Sequence, residues 1–324
     1  MSIPVTDMLV WDNHGCMPLR ADDKRFLPQL ARYREAGVDV VTLNVGFDGV
    51  PWQNTAPVAK AFRQFVEDHP TDYLMIDSVH DIDVARQTGR LGVTFDIEGG
   101  SALNGEVERL QGYYELGVRW MLIAYNHNNL LGGGCQDDDT GLTDFGRQVL
   151  DEMNRLGMVP CCSHTGHQTA SEVLEHCSTP VIFSHSNPSG LVEHKRNIPD
   201  SLIQGCAETG GVIGINGIGL FLGDNNISAD NIVRHIDYVA SLVGVEHVGL
   251  SLDYAFDTEE LDEYVAAHPE LFPAEEGYNA GIAMAPPEVV PDIAVALSQL
   301  GYSDTDLRLI MGENHLRIAR QIWK

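Results

Sequence analysis

DFGRQVLDEMNRLGMVPCCSH, residues 144–164, holds the alternation that decides the fold. Across 144–157 the apolar side chains recur at helical spacing, and 158–164 is a short apolar run closing on a polar group, as a buried strand does. The pattern extends in both directions. Short runs rich in β-branched residues occupy 8–14 (MLVWDNH), 39–45 (DVVTLNV), 92–98 (GVTFDIE), 118–125 (VRWMLIAY), 180–185 (PVIFSH), 211–216 (GVIGIN) and 247–253 (HVGLSLD). Between them lie charged, helix-compatible segments such as 229–244, where Ile232, Ile236, Val239 and Val243 form one stripe. Strand then helix, repeated about eight times without a long linker, predicts parallel strands joined by right-handed crossovers, an α/β (β/α)8 TIM-like barrel. A doubly wound sheet binding a dinucleotide would need G-x-G-x-x-G after the first strand, and that turn is absent there. GGVIGINGIG (210–219) lies late in the chain beside a strand and reads as close packing.

The 324 residues suit one barrel domain over 1–324, with 256–290, which carries Pro and Gly, read as a loop insertion over the barrel mouth in the position of a lid. Hydrophobic residues at 44% and charged residues at 21% exclude disorder and coiled-coil composition. Twenty Lys plus Arg against 47 Asp plus Glu give a formal charge of −27, which argues against nucleic acid and against an anionic membrane surface. The surplus carboxylates read as a means of solubility. No apolar run approaches the roughly 20 residues of a membrane span. Residues 1–20 show no basic segment followed by an apolar one, so a cytoplasmic protein is expected, with its six cysteines reduced.

The strand ends carry the chemistry. His14 and Cys16 follow the first strand, Glu98 ends the third, His164 the fifth, His185 the sixth and Asp253 the eighth. In a barrel these C-terminal ends converge on one mouth. Three imidazoles and a carboxylate there suit zinc (Zn2+) or a similar divalent metal. His14 and Cys16 share a face of an extended segment, and Cys16 reads equally as a ligand or as a small buried filler. Cys161 and Cys162 read as core. The remaining histidines, at 69, 80, 176, 194, 235, 247, 268 and 315, lie in helical or loop-like contexts and read as ordinary hydrogen-bonded residues.

These ends resemble those of the membrane dipeptidase (renal dipeptidase) family of zinc metallopeptidases. The motifs run from WDNHGC (11–16) through FDIEGG (95–100), GLTDFGRQVLDEMNRLGM (141–158), SHTG (163–166), PVIFSHSNPSG (180–190), KRNIPD (195–200) and VGLSLDYAF (248–256) to GENHLRIARQIW (312–323). The resemblance implies a metal-dependent-hydrolase barrel with His14 on one zinc ion, Glu98 bridging two, and His164 and His185 on the second. It further implies hydrolysis of dipeptides by a metal-activated hydroxide, tolerance of a D residue at the C-terminal position, and frequent homodimers. Arg196 would hold the free carboxylate of the substrate and Asp253 would handle the proton. Taken alone, Arg196 reads as a solvated charge beside Lys195 at a helix entrance.

Two departures stand out. The family's His-x-Asp is here His14-Gly15-Cys16. Either a thiolate replaces the carboxylate, at about 2.3 Å from zinc against roughly 2.0 to 2.2 Å, or the site keeps one metal. In MLIAYNHNN (121–129) Tyr125 aligns with the family's substrate-binding His, so Tyr125 or His127 becomes the donor to a developing oxyanion. Two rival readings stay open. One is an amidohydrolase-type enzyme acting on a non-peptide amide, a lactone or an amine; the other is a non-catalytic ligand-binding barrel.

Overall fold

A computed structural model describes residues 7–324. Residues 1–6, which belong to the stretch read above for an export signal, lie outside the described residues. The strands are β1 (Trp11–Cys16), β2 (Val40–Phe47), β3 (Tyr73–Met75), β4 (Leu91–Glu98), β5 (Val118–Leu122), β6 (Val159–Cys161), β7 (Ile213–Asn216), β8 (Val248–Ser251) and β9 (Tyr254–Ala255). Their pairing is parallel and follows the order β6-β5-β4-β2-β1-β8-β7. The two ends of that path meet through the 180–185 segment. Ile182 bridges Cys161 of β6, and Phe183 bridges Ile213 of β7, both in the parallel sense. The sheet thus closes into a (β/α)8 ring whose staves are β1, β2, β4, β5, β6, the 180–185 segment, β7 and β8.

Parallel strands need long crossovers, and the helices that supply them cover the outside of the ring. The helix Asp144–Leu156 shows how the sequence sets its limits. Thr143 caps its start by accepting from the Gly146 amide, and Gly157, at φ +87°, ends it in a left-handed turn that glycine adopts without steric cost. Its Val149, Leu150 and Met153 are buried, and Met158, directly after the turn, leads into β6 inside the same core. In Ala229–Val243 the stripe Ile232, Ile236 and Val239 is buried in the same way, while Val243 is only partly covered. The strands, enclosed on both faces, are near-continuous apolar runs rather than alternating ones.

Three features differ from the sequence reading. β3 was not expected; it lies beside the first half of β4, from Tyr73 opposite Leu91 to Met75 opposite Val93, and β5 pairs with the second half. The 180–185 stretch, read as a full strand, makes two bridges only. The stretch 256–290, read as loop, contains a helix, Thr258–Ala267, and is tied down by an antiparallel bridge between Ile218 and Met284. Among the described residues no helix is long and apolar enough to cross a membrane.

Candidate active site

The ring brings His14 of β1, Glu98 at the end of β4, His164 beyond β6 and His185 of the 180–185 segment to one point. Oε1 of Glu98 lies 3.5 Å from Nε2 of His14, 3.5 Å from Nε2 of His164 and 3.2 Å from Nε2 of His185. The His164 and His185 Nε2 atoms are 2.9 Å apart, and the His14 and His185 rings stack at 4.2 Å. Oε1 of Glu98 is buried and has no hydrogen-bond partner. A buried carboxylate oxygen without a hydrogen bond is costly unless a cation receives it. The N and O donors assembled here therefore fit a divalent metal.

The other ring nitrogens explain why Nε2 faces inward. Nδ1 of His14 is 3.0 Å from Oδ2 of Asp96, Nδ1 of His164 is 2.7 Å from Oδ1 of Asn126, and Nδ1 of His185 is 2.9 Å from Oγ of Ser184. For His164 the amide oxygen accepts the Nδ1 proton and leaves Nε2 as a lone-pair donor. Burial, helped by Arg196 for His164 and by His14 for His185, pushes both imidazoles well below their ordinary range, so each is neutral and able to ligate. Burial also works against charge on His14, yet Asp96 and Glu98 beside it hold its pKa well above the usual value. Asn44 completes the arrangement. Its Nδ2 donates to Oδ1 of Asp96 at 2.9 Å and to Oε2 of Glu98 at 3.2 Å, which turns Oε1 toward the imidazoles.

Cys16 and Asp253 form a second group with His14. Sγ of Cys16 is 3.5 Å from Nε2 of His14 and 3.7 Å from Oδ1 of Asp253, which is itself 3.5 Å from the same nitrogen. Oδ2 of Asp253 accepts from Nδ2 of Asn216 at 2.8 Å, so Oδ1 is the atom left facing the cluster. Burial pushes the Cys16 thiol up to about 12. Asn126, His164 and Asp253 have left-handed backbones, at φ +59°, +61° and +58°. These turns swing the side chains off the strand direction and into the mouth.

Arg196 is 2% exposed, with its guanidinium 5.2 Å from the Phe221 ring centroid. Nη2 makes one long contact, 3.4 Å to the His185 carbonyl, and Nε has no partner. Lys195 beside it is exposed and pairs with Glu276 at 3.2 Å, so the two neighbours differ in kind and Arg196 is not the solvated charge its sequence context suggests. The Tyr125 ring stacks on His164 at 4.1 Å and 22°. Cys16, Glu98, Tyr125, His164, Arg196 and Asp253 all line one cavity of about 300 Å³. His127 is not brought there. Its Nδ1 pairs with Asp137 at 2.7 Å and its Nε2 with the Glu270 carbonyl at 2.8 Å. In an extended segment Tyr125 and His127 would point the same way, but the left-handed turn at Asn126 separates them.

Asp96, Asn126, Asn44 and Asn216 were missed by the sequence reading. Asp96 had a usable signal, since it stands two before Glu98 in FDIE and so shares its face of the strand.

Residues 51–272 match the membrane dipeptidase family (peptidase family M19). An uncharacterized dipeptidase of Schizosaccharomyces pombe is 33% identical over 239 residues, covering 70% of this chain and 51% of that protein. A second from the same yeast is 32% identical over 201 residues, covering 59% and 48%. The chain thus spans about half the length of these relatives. Among solved structures, an amidohydrolase from Pseudomonas aeruginosa matches at TM-score 0.88 and 27% identity over 98% of each chain. A metallopeptidase from Rhodobacter sphaeroides, solved with a phosphinate mimic of the dipeptide L-Ala-D-Ala, matches in fold at TM-score 0.79 and 19% identity, over 98% of this chain and 99% of that one.

Proposed function

The chain belongs to the membrane dipeptidase family of peptidases, and on that premise we propose that it is a metal-dependent dipeptidase. The observation that carries the proposal is the convergence of three imidazole Nε2 atoms on one buried, unpartnered oxygen of Glu98, with a buried Arg196 guanidinium lining the same cavity. His164, His185 and Glu98 would hold one ion; His14 and Cys16, with Glu98, would hold a second. Imidazole and thiolate donors make zinc the cation of choice. A divalent ion bound there would supply a water with a pKa of about 7 and a Lewis acid for the carbonyl oxygen.

The chain's own residues supply the rest. Arg196, with few hydrogen bonds of its own, receives the C-terminal carboxylate of the dipeptide and so fixes where the scissile carbonyl lies. Oδ1 of Asp253 takes the proton from the attacking water and returns it to the leaving amine nitrogen, while Asn216 steadies the other oxygen. The Tyr125 hydroxyl donates to the carbonyl oxygen as negative charge grows on it. A D residue at the C-terminal position and closure of 256–290 over the substrate belong to the same reading, the first on the strength of the family resemblance. The test is amino-acid release from dipeptides with L or D C-terminal residues, using protein preincubated with zinc and a chelated control. Zinc-dependent release is expected. No release from folded, zinc-loaded protein, or turnover of a lactone or blocked amide alone, overturns the proposal.

A further inference from the structure

We propose that the substrate residue on the amine side of the scissile bond carries a large apolar side chain. This rests on the dipeptidase reading and concerns the half of the cavity opposite Arg196. Arg196 follows the 180–185 stave, and β2 stands across the ring from that stave, with β4, β5 and β6 between them on one side and β1, β8 and β7 on the other. A dipeptide anchored at Arg196 with its carbonyl at the metal cluster therefore extends its remaining end toward β1 and β2.

That side of the cavity is formed by Met17 and Leu19 after β1, Phe47 and Val50 at the end of β2, and Leu261 and Tyr264 from the helix Thr258–Ala267. The Phe47 ring lies 5.0 Å from Tyr125 and 5.8 Å from Tyr264, and the Tyr264 hydroxyl donates to the Gly49 carbonyl at 3.1 Å. The helix is thereby fixed onto the β2 loop and completes an apolar wall. The carboxylates nearby are engaged. Arg20 Nη2 pairs with Asp257 at 2.9 Å and with Glu260 at 3.4 Å. A polar side chain entering this half would lose its hydration against carbon, whereas an aromatic or branched aliphatic one replaces water that binds poorly there.

The test compares kcat/KM for Gly-Ala, Ala-Ala, Leu-Ala and Phe-Ala with the zinc-loaded protein. Since each methylene in an apolar pocket is worth about 10-fold or more in discrimination, Leu-Ala or Phe-Ala is expected to exceed Gly-Ala by at least about 100-fold. Val50→Trp, which fills the wall, is expected to shrink the ratio of Phe-Ala to Gly-Ala by about 10-fold or more. Equal or better turnover of Gly-Ala overturns the inference while leaving the dipeptidase reading intact. If no dipeptide is turned over, that reading fails and the pocket is read by binding. Uncleavable reduced-amide analogues of Phe-Ala and Gly-Ala are added and the melting temperature measured. A larger shift with the phenylalanyl analogue supports the apolar subsite, and equal shifts overturn it.

Discussion

Nδ1 of His14 donates to Oδ2 of Asp96 across 3.0 Å, with both side chains fully buried. The bond ties His14, a proposed metal ligand on β1, to β4, the strand that also carries Glu98. Loss of such a partner typically lowers metal affinity by about 10- to 100-fold. Asp96→Asn is expected to weaken zinc binding by that amount in chelator competition. Unchanged affinity would show that packing alone orients the imidazole.

Cys16 gives a spectroscopic prediction. Its thiol, held near 12 by burial, ionises only when a cation lies beside it, as thiol ligands do. Cobalt-loaded protein is expected to show a thiolate-to-cobalt charge-transfer band that Cys16→Ser lacks, with Cys16→Asp retaining the full metal content without the band. Identical spectra for the parent and the serine variant would remove Cys16 from the ligand set.

Arg196→Ala should act on binding. Charge-assisted hydrogen bonds to a buried group are worth about 1.5 to 3 kcal/mol, so KM for dipeptides is expected to rise about 10- to 100-fold. Substrates with an amidated C-terminus should be nearly insensitive. An equal effect on both would place Arg196 outside carboxylate recognition.

Asp253→Asn should act on turnover. Removal of a general acid and base costs about 10²- to 10⁴-fold in kcat. Metal content, read by elemental analysis, is expected to fall by no more than the ion held with His14 and Cys16. Full activity in this variant would exclude the role.

Two buried histidines should each weaken folding in mild acid. Burial pushes His235 and His315 down to about 4, and each ring uses Nε2 toward a backbone carbonyl, Leu222 and Leu250 respectively. Nδ1 of His235 is buried without a partner. Below pH 6.5 the unfolded chain takes up these protons and the folded chain does not, so the contribution of these two rings to stability falls as pH drops from about 6.5 to about 4. The slope is about 1.4 kcal/mol per pH unit for each ring, and there is no contribution from either above 6.5. His235→Gln, measured by urea denaturation, is expected to flatten it. An unchanged slope would mean that this ring titrates normally in the fold.

The barrel was legible because its enclosed strands are apolar along their whole length and end on polar groups, as at Glu98 and Asp253. β3 escaped notice because three residues leave no room for a period. The 180–185 segment resembled a strand by composition, but its pairing is decided by neighbours at both sides and amounts to Ile182 and Phe183. At the mouth, the residues at the strand ends were readable as metal-type side chains. Those behind them were not, since Asn44, Asn126 and Asn216 gain their meaning only from partners that are distant in sequence. His127 lies outside the cavity lining, its ring held by Asp137 and Glu270 beyond the left-handed Asn126.

Among the described residues the non-glycine positions with left-handed backbone are Asn104, Asn126, His164, Asp224, Asn225 and Asp253. Every one is an Asn, Asp or His, the types that tolerate this conformation best. Those types are also oxygen and nitrogen donors. At 164 and 253 the chain can therefore exchange one hard or borderline donor for another without disturbing the backbone, while bulkier or branched replacements are filtered out by the turn itself. Position 16 lies in the extended strand β1, where no such filter acts, and it is there that sulfur stands beside His14.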